Sequence, residues 1–406
     1  MVKRRSLLPE AGENKFQRIK RICAEATEGG IQLIKLSIGQ PEGPAIMEAR
    51  QAASLAMLSD KESMHEYQDN GSPGVPDFAR RFVSAHIKRA GEISRRADDG
   101  ELDIAYLPIP GIKPILGVVI ESLGTWTGDR FNSIVLTMTD PGYPTPADQA
   151  KMIAGIGHVH AALDPDNSFL FDYRFPVLSR GDLIMLNLPH NPTGTVGKRS
   201  WLEGLCSYCE KNGIRVFNDA AYAILTHTDE AVTLTDVAID FPNLSWAEAF
   251  SASKAGNMTG WRIGAMVGSP DFIGDIARVK GNTDSGFAAP MAAGVIDLFE
   301  NHRDKIQEYQ RLYASRLEIL IHNLHDVGMK LAVEPDAGFF ALFLCPKRAF
   351  GQDIADADQF NQLMIKNTGV VGVDFGQYIR YAICAAPVEG LIDEIRAAFE
   401  KAQVSY

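Results

Sequence analysis

Cysteine is scarce in this chain, 5 among 406 residues and an odd number. That excludes a disulfide-stapled secreted scaffold and fits a reducing compartment, the cytoplasm. Cys206 and Cys209 form a lone C-x-x-C in a segment that reads as helix, Trp201 to Lys211. With no second pair and no histidine cluster nearby, two semi-buried thiols are expected there and no metal site. Long apolar runs are also missing. No stretch reaches the roughly 20 residues that a membrane span needs. Lys3, Arg4 and Arg5 are followed by Pro9, Glu10, Gly12 and Glu13, not by the apolar core of a signal peptide. Positive charge is in deficit, 40 basic against 51 acidic residues and a net charge of -11. This argues against nucleic acid or an anionic membrane as partner. Internal repeats and low-complexity linkers are absent, so the chain reads as one continuous folding unit.

What is present is a large apolar interior, 46% of the residues, and enough length for two lobes. Between about residues 100 and 270, short apolar runs alternate with amphipathic stretches. Strands are expected at Ile134 to Thr137, His158 to Ala161, Leu183 to Leu188, Ile214 to Asn218, Leu244 to Phe250 and Gly264 to Gly268. Runs this densely apolar suit strands covered on both faces. The expected fold class is therefore α/β, a three-layer, doubly wound, mostly parallel sheet. Beyond Asp271 a long helix, Val295 to Val327, precedes short strands at Lys330 to Val333, Phe339 to Leu344 and Tyr378 to Cys384, and a last helix from Val388 to Ala402. These predict a smaller α+β domain, 301–406, joined by an N-terminal segment, 1–44, beside a large domain of residues 45–300.

Ligands of doubly wound sheets bind at the carboxyl ends of the strands, and the chemically suggestive residues cluster there. Ser251, Ala252, Ser253 and Lys254 follow one strand, and Arg262 comes eight positions after the lysine. Hydroxyls and a guanidinium that could hold a phosphate, beside a lysine that burial could make nucleophilic, point to pyridoxal phosphate bound as a Schiff base. A solvated loop lysine would carry the same letters. Asp219 ends another apolar run, where a carboxylate needs a partner such as a protonated pyridine nitrogen, although it could equally cap the next helix. Tyr222 and Asn191 offer hydrogen bonds to a phenolate oxygen. Gly111, Ile112 and Lys113 open a helix whose amides could hold phosphate, or make a plain turn. Tyr143 could stack on a ring or sit in the core.

In order and spacing, Asn191-Pro192-Thr193-Gly194, Asp219-x-x-Tyr222 and Ser251-x-Ser253-Lys254 with Arg262 resemble the fold-type I, class I/II aminotransferases dependent on pyridoxal phosphate. The resemblance runs from about Leu36 to the C-terminal helix. It implies that Lys254 is the Schiff-base lysine and proton shuttle, that Asp219 pairs the ring nitrogen, and that Asn191 and Tyr222 bind the phenolate oxygen. Ser251, Arg262 and the Gly111 to Lys113 turn would hold the phosphate, with Ala252 and Ser253 lining it and Tyr143 stacked on the ring. Gly39, in Leu36 to Pro41, is similar to the family's substrate segment, and Arg380 to the arginine that forks onto the substrate α-carboxylate. Tyr67 resembles the tyrosine that crosses to the other subunit's phosphate, which implies a homodimer with shared sites.

Asp219 to Tyr222 and Lys280 to Gly286 are most similar to the LL-diaminopimelate and alanine-type aminotransferases. The turn before Arg380 is shortened, Val371 to Gly376, and Glu13 falls where diaminopimelate enzymes place a tyrosine. Between Asn282 and Ala293 there is no arginine to meet a second substrate carboxylate, which argues against aspartate as donor, with Lys280 or Lys113 as substitutes. The expected reaction is ping-pong transfer of the amine of an amino acid to a 2-oxo acid. A lyase or decarboxylase on the same scaffold is the alternative. A non-catalytic regulator is disfavoured, since about 35 residues before the first motif leave no room for a DNA-binding module.

Overall fold

A seven-stranded sheet forms from the apolar runs between residues 105 and 268. The computed structural model describes residues 15–125 and 132–406. Its strands lie in the order Ala105–Ile109, Gly264–Gly268, Trp246–Ser251, Arg215–Asp219, Leu183–Leu186, Ser133–Thr137, Ile156–His160. Every pairing is parallel except the two made by Gly264–Gly268. The six expected strands all appear, displaced at their ends by no more than two residues. Leu183–Leu186, Trp246–Ser251 and Gly264–Gly268 are buried at every position. Helices cover both faces, Ile112–Glu121 and Pro270–Lys280 on one, Phe78–Ser84, Arg199–Asn212 and Ala289–Asn301 on the other. This is the three-layer arrangement that continuous apolar strands demand.

Register decides where chemistry can occur. Asp219 pairs with Ala249, Ser251 with Gly264, and Gly264 with Ile109, so strand ends and their following loops gather at one sheet edge. A second, antiparallel sheet has Tyr378–Ala382 between Val373–Phe375 and Phe340–Leu344. Arg303–Asp326 and Val388–Ala402 pack on it. The N-terminal part joins this unit: Ile34–Lys35 pairs with Val370–Val371, and Ile19, Ile22 and Ala26 of helix Lys15–Glu28 pack against Ile365, Val371 and Val373.

Three expectations change. The helix expected from Val295 to Val327 is two, Ala289–Asn301 and Arg303–Asp326, with His302 at φ -134° and ψ 37° between them. Val295, Ile296, Leu298 and Phe299 bury into the large core, whereas Tyr313, Leu317, Leu320 and Leu324 bury against the smaller sheet. One straight rod cannot point its apolar face at two cores. Lys330 to Val333 makes a single bridge, Leu331 to Phe343, and no strand. Cys206 and Cys209 are fully buried, not semi-buried, and burial pushes both thiols up, Cys209 to about 12. Glu13 lies outside the described residues.

Candidate functional site

At the carboxyl edge of the large sheet, between it and the smaller sheet, lies a cavity of about 1170 Å³. Its lining includes Lys254, Asp219, Tyr222, Asn191, Arg262 and Arg380, residues separated by up to 189 positions and assembled only by the sheet register. Lys254 follows the strand that ends at Ser251, and its Nζ donates to the Gly39 carbonyl at 2.6 Å. Burial lowers its pKa to about 8; nearby Cys384 and Asp219 pull the other way, and Arg380 and Arg262 add to the lowering. The amine is thereby brought toward the neutral, nucleophilic form near neutral pH.

Asp219 is 7% exposed. Burial raises its pKa to about 7, partly countered by the Ala221 amide that donates to Oδ1 at 3.2 Å and by Lys254. A carboxylate so desolvated favours a cationic partner, and the protonated ring nitrogen of pyridoxal phosphate would be one. Asn187 props this corner. It donates through Nδ2 to the Asp219 carbonyl at 2.9 Å and accepts from the Asn191 amide at 3.0 Å. Tyr222 stands edge-on to Phe339 and Phe340, and burial raises its hydroxyl pKa.

Ser251 Oγ donates to Ser253 Oγ at 2.9 Å and accepts from the Ser253 amide at 3.1 Å. Arg262, at φ +59°, donates to the Thr259 carbonyl at 3.0 Å. Gly111, at φ +76°, precedes helix Ile112–Glu121, and a Cβ there would stand 2.4 Å from Arg262 Nη2. Only glycine lets the guanidinium lie against that helix start. Ile112, Lys113, Tyr143 and Ser253 also line the cavity. The residues present fit a phosphorylated aldehyde: a cradle of amides, hydroxyls and a guanidinium at one end, and a buried, partner-seeking carboxylate beside an activated amine.

Arg380, on the central strand of the smaller sheet, is 4% exposed. Nη1 donates to Asn191 Oδ1 at 2.7 Å and Nη2 to the Ser37 carbonyl at 2.8 Å, while buried Nε has no partner. Its guanidinium lies 4.1 Å from the Phe340 ring centroid, and burial lowers its pKa to about 10. A desolvated cation with an unused donor suits an anion. Three consecutive carbonyls of the Gly39 segment are thus held by side chains, Ser37 by Arg380, Ile38 by Cys384 Sγ at 3.2 Å, and Gly39 by Lys254. A Cβ on Gly39 would meet Phe340 at 2.9 Å.

Three expected residues stand apart from the lining. Ala252 packs into the large core, Gly111 lies behind Arg262, and Tyr67 is 77% exposed on the outer surface. Lys280, an expected substitute for a second arginine, is fully buried and bound to Asp284 at 2.7 Å and Asn70 at 3.2 Å. It is a structural tie and does not line the cavity. Asn187, Ser37, Cys384 and Phe340 were not among the expected site residues. Asn187 sat in a turn-forming run whose polar letters could signal only a loop, and the others depend on contacts across hundreds of positions. Among the described residues no cluster of His, Cys, Asp and Glu could hold a metal, and no helix is long and apolar enough to cross a membrane.

Comparison with known proteins agrees with this geometry. The family model for aminotransferase class I and II matches residues 149–395. The LL-diaminopimelate aminotransferase of Syntrophobacter fumaroxidans is 30% identical over 387 residues, 91% of each chain. That of Methanocaldococcus jannaschii is 29% identical over 379 residues, 91% of this chain and 85% of the relative. The fold matches that of substrate-bound BacF from Bacillus subtilis with a TM-score of 0.80 at 18% identity, covering 99% of both chains. A half-buried lysine, its carboxylate and its two arginines thus sit in a chain that belongs to the class I and II aminotransferases, enzymes that transfer amino groups with pyridoxal phosphate.

Proposed function

We propose that Lys254 carries pyridoxal phosphate, and that its Nζ then moves the proton at the substrate α-carbon. The observation that supports this most is the pairing of a lysine brought to about 8 by burial with a carboxylate raised to about 7 in the same cavity. Asp219 would hold the ring nitrogen. Asn191 and Tyr222 would hold the phenolate oxygen, and Tyr143 the ring face. Ser251, Ser253, Arg262 and the amides of Ile112 and Lys113 would hold the phosphate, with Gly111 admitting Arg262. When bound, the cofactor supplies an electron sink for the charge left at the α-carbon. Arg380 would orient the α-carboxylate, and the Gly39 segment with Phe340 would exclude water.

On this reading residues 45–300 form the cofactor-binding domain, and 301–406 with the N-terminal segment, of which 15–44 are described, form the domain that meets the substrate. The same reading makes the protein a homodimer. Tyr67, exposed here, would reach the partner's phosphate, and helix Met47–Met57 with Leu58 presents Leu55 and Leu58 at 73% and 80% exposure, a surface that a second copy would cover. All five cysteines are free thiols, which supports the cytoplasm. Because relatives at about 30% identity are LL-diaminopimelate aminotransferases, LL-diaminopimelate is the first donor to test.

The experiment is a spectral screen of the loaded protein with the twenty amino acids and LL-diaminopimelate. The cofactor band should shift with the true donor and return on addition of a 2-oxo acid, with ping-pong kinetics, and Lys254→Ala should abolish both. Pyruvate and ammonia released from cysteine without any oxo acid would instead assign a lyase.

A further inference from the structure

A second cavity, of about 240 Å³, shares no lining residue with the first. Leu188 and Pro189, just ahead of Asn191, and Ala223 and Ile224, just after Tyr222, supply part of its lining. Arg303, at the start of helix Arg303–Asp326, and His86 supply another part.

Several polar groups around this cavity already have partners. The Asp236 carboxylate accepts from the amides of Lys88 at 3.0 Å, Arg89 at 2.9 Å and Thr233 at 3.2 Å. Lys88 Nζ donates to the Asp229 carbonyl, and Gln310 Nε2 to the Thr226 carbonyl. His86 differs. It is 9% exposed, and its ring packs among Phe82, Phe299 and Phe250, with centroids 4.6, 5.0 and 4.9 Å away. Nδ1 lies 2.8 Å from the Phe82 carbonyl, which can only accept, so Nδ1 carries the hydrogen. Burial lowers the imidazole pKa to about 4, which leaves the ring neutral and Nε2 an acceptor without a partner. A buried acceptor left unmatched calls for a donor. Arg303 is close enough to oppose a charge on His86, and among the described residues it has no ion pair. A neutral acceptor beside a free cation suits a hydroxyl next to a carboxylate. An ammonium in the hydroxyl's place would be repelled by Arg303.

We propose that this cavity is an effector site for a small 2-hydroxy carboxylate with a branched apolar side chain. The hydroxyl would donate to His86 Nε2, the carboxylate would pair with Arg303, and the side chain would lie against Ile224, Val232 and Ile306. The volume suits roughly ten heavy atoms. An occupant would press on the backbone next to Asn191 and Tyr222, the two residues proposed above to hold the phenolate oxygen. Only that coupling rests on the cofactor reading; the binding does not.

Calorimetry on the cofactor-loaded protein with 2-hydroxy-3-methylbutanoate and 3-methylbutanoate tests this, since neither probe carries an amine to transfer. Arg380→Gln silences the main cavity, so the hydroxy acid should bind this variant at one site per chain. The probe without the hydroxyl should bind it about tenfold more weakly, the worth of one buried hydrogen bond. H86F keeps the aromatic packing and should erase that difference. R303Q should weaken both probes about threefold, as for an exposed ion pair. Should Arg380→Gln fail to fold, H86F/R303Q in the wild-type background still reads out, because one site per chain should disappear. Occupancy should shift the cofactor band of Arg380→Gln. No binding to folded Arg380→Gln, or binding untouched by H86F/R303Q, would overturn the proposal. A filled site with an unmoved band would overturn its effector role. A wild type whose sole site disappears with H86F/R303Q would fault the role given to Arg380 and support this one, so the two readings fail separately.

Discussion

Asp219 occupies a position that penalises its charge. Its carboxyl titrates near 7 in the fold against an ordinary 3.8, so the folded state holds a proton that the unfolded chain has already released. The contribution of Asp219 to folding stability is therefore greatest below the ordinary carboxyl range and declines as pH rises from about 4 to about 7. The Asp219→Asn substitution keeps the shape and removes the charge. Freed of cofactor, this variant should melt higher than wild type above pH 7, and the gap should close toward pH 4. Transfer should meanwhile fall on the order of 10²- to 10³-fold, since charge stabilisation at the reacting centre is lost. Melting curves from pH 3.5 to 8, set beside transfer rates, check both halves. A gap that ignores pH would mean that the charge is relieved by something other than the cofactor.

At the level of elements, Glu248 shows what sequence patterning conceals. It is fully buried in strand Trp246–Ser251. Its carboxylate accepts from the Thr235 amide at 2.7 Å, Thr235 Oγ1 at 2.6 Å, the Leu234 amide at 3.1 Å and Asn218 Nδ2 at 2.7 Å. It thereby ties the short helix Thr235–Ala238 to two strands. Glu248→Ala orphans four buried donors and should lower stability by roughly 3 kcal/mol. Glu248→Gln, which keeps an acceptor, should lose clearly less. Urea midpoints decide, and equal losses in the two variants would refute the tie. The surrounding strand was legible from its apolar run, because strands covered on both faces need no alternation. Glu248 was not, because its partners lie 13 and 30 positions away. The same contrast runs through the site. Lys254, Asp219 and Asn191 stand at strand ends in a fixed order and could be read, whereas Phe340, Ser37 and Cys384 arrive from the other lobe. The break at His302 has neither glycine nor proline to announce it. It follows from two cores competing for one helix face.

For the whole molecule, the site joins three stretches of chain. Arg380 from the C-terminal sheet reaches Asn191 of the large lobe and Ser37 of the N-terminal segment, so the lobes are joined through the arginine proposed to bind substrate. A homodimer would add a fourth contribution, since Tyr67 points to solvent while Lys280, Asn70 and Asp284 fix the loop beside it. Tyr67→Ala and Lys254→Ala would each be nearly inactive, for different reasons. Co-refolded in equal amounts, half of the dimers should be hybrids. In each hybrid, one site combines Lys254 of the first variant with Tyr67 of the second, so activity should recover to about a quarter of wild type. If Tyr67 served its own chain, no hybrid would contain an intact site and the mixture would stay inactive. Adding Leu55→Asp and Leu58→Asp to both chains should prevent recovery and give a monomer by light scattering, because charged side chains would then occupy the apolar surface that the second copy needs.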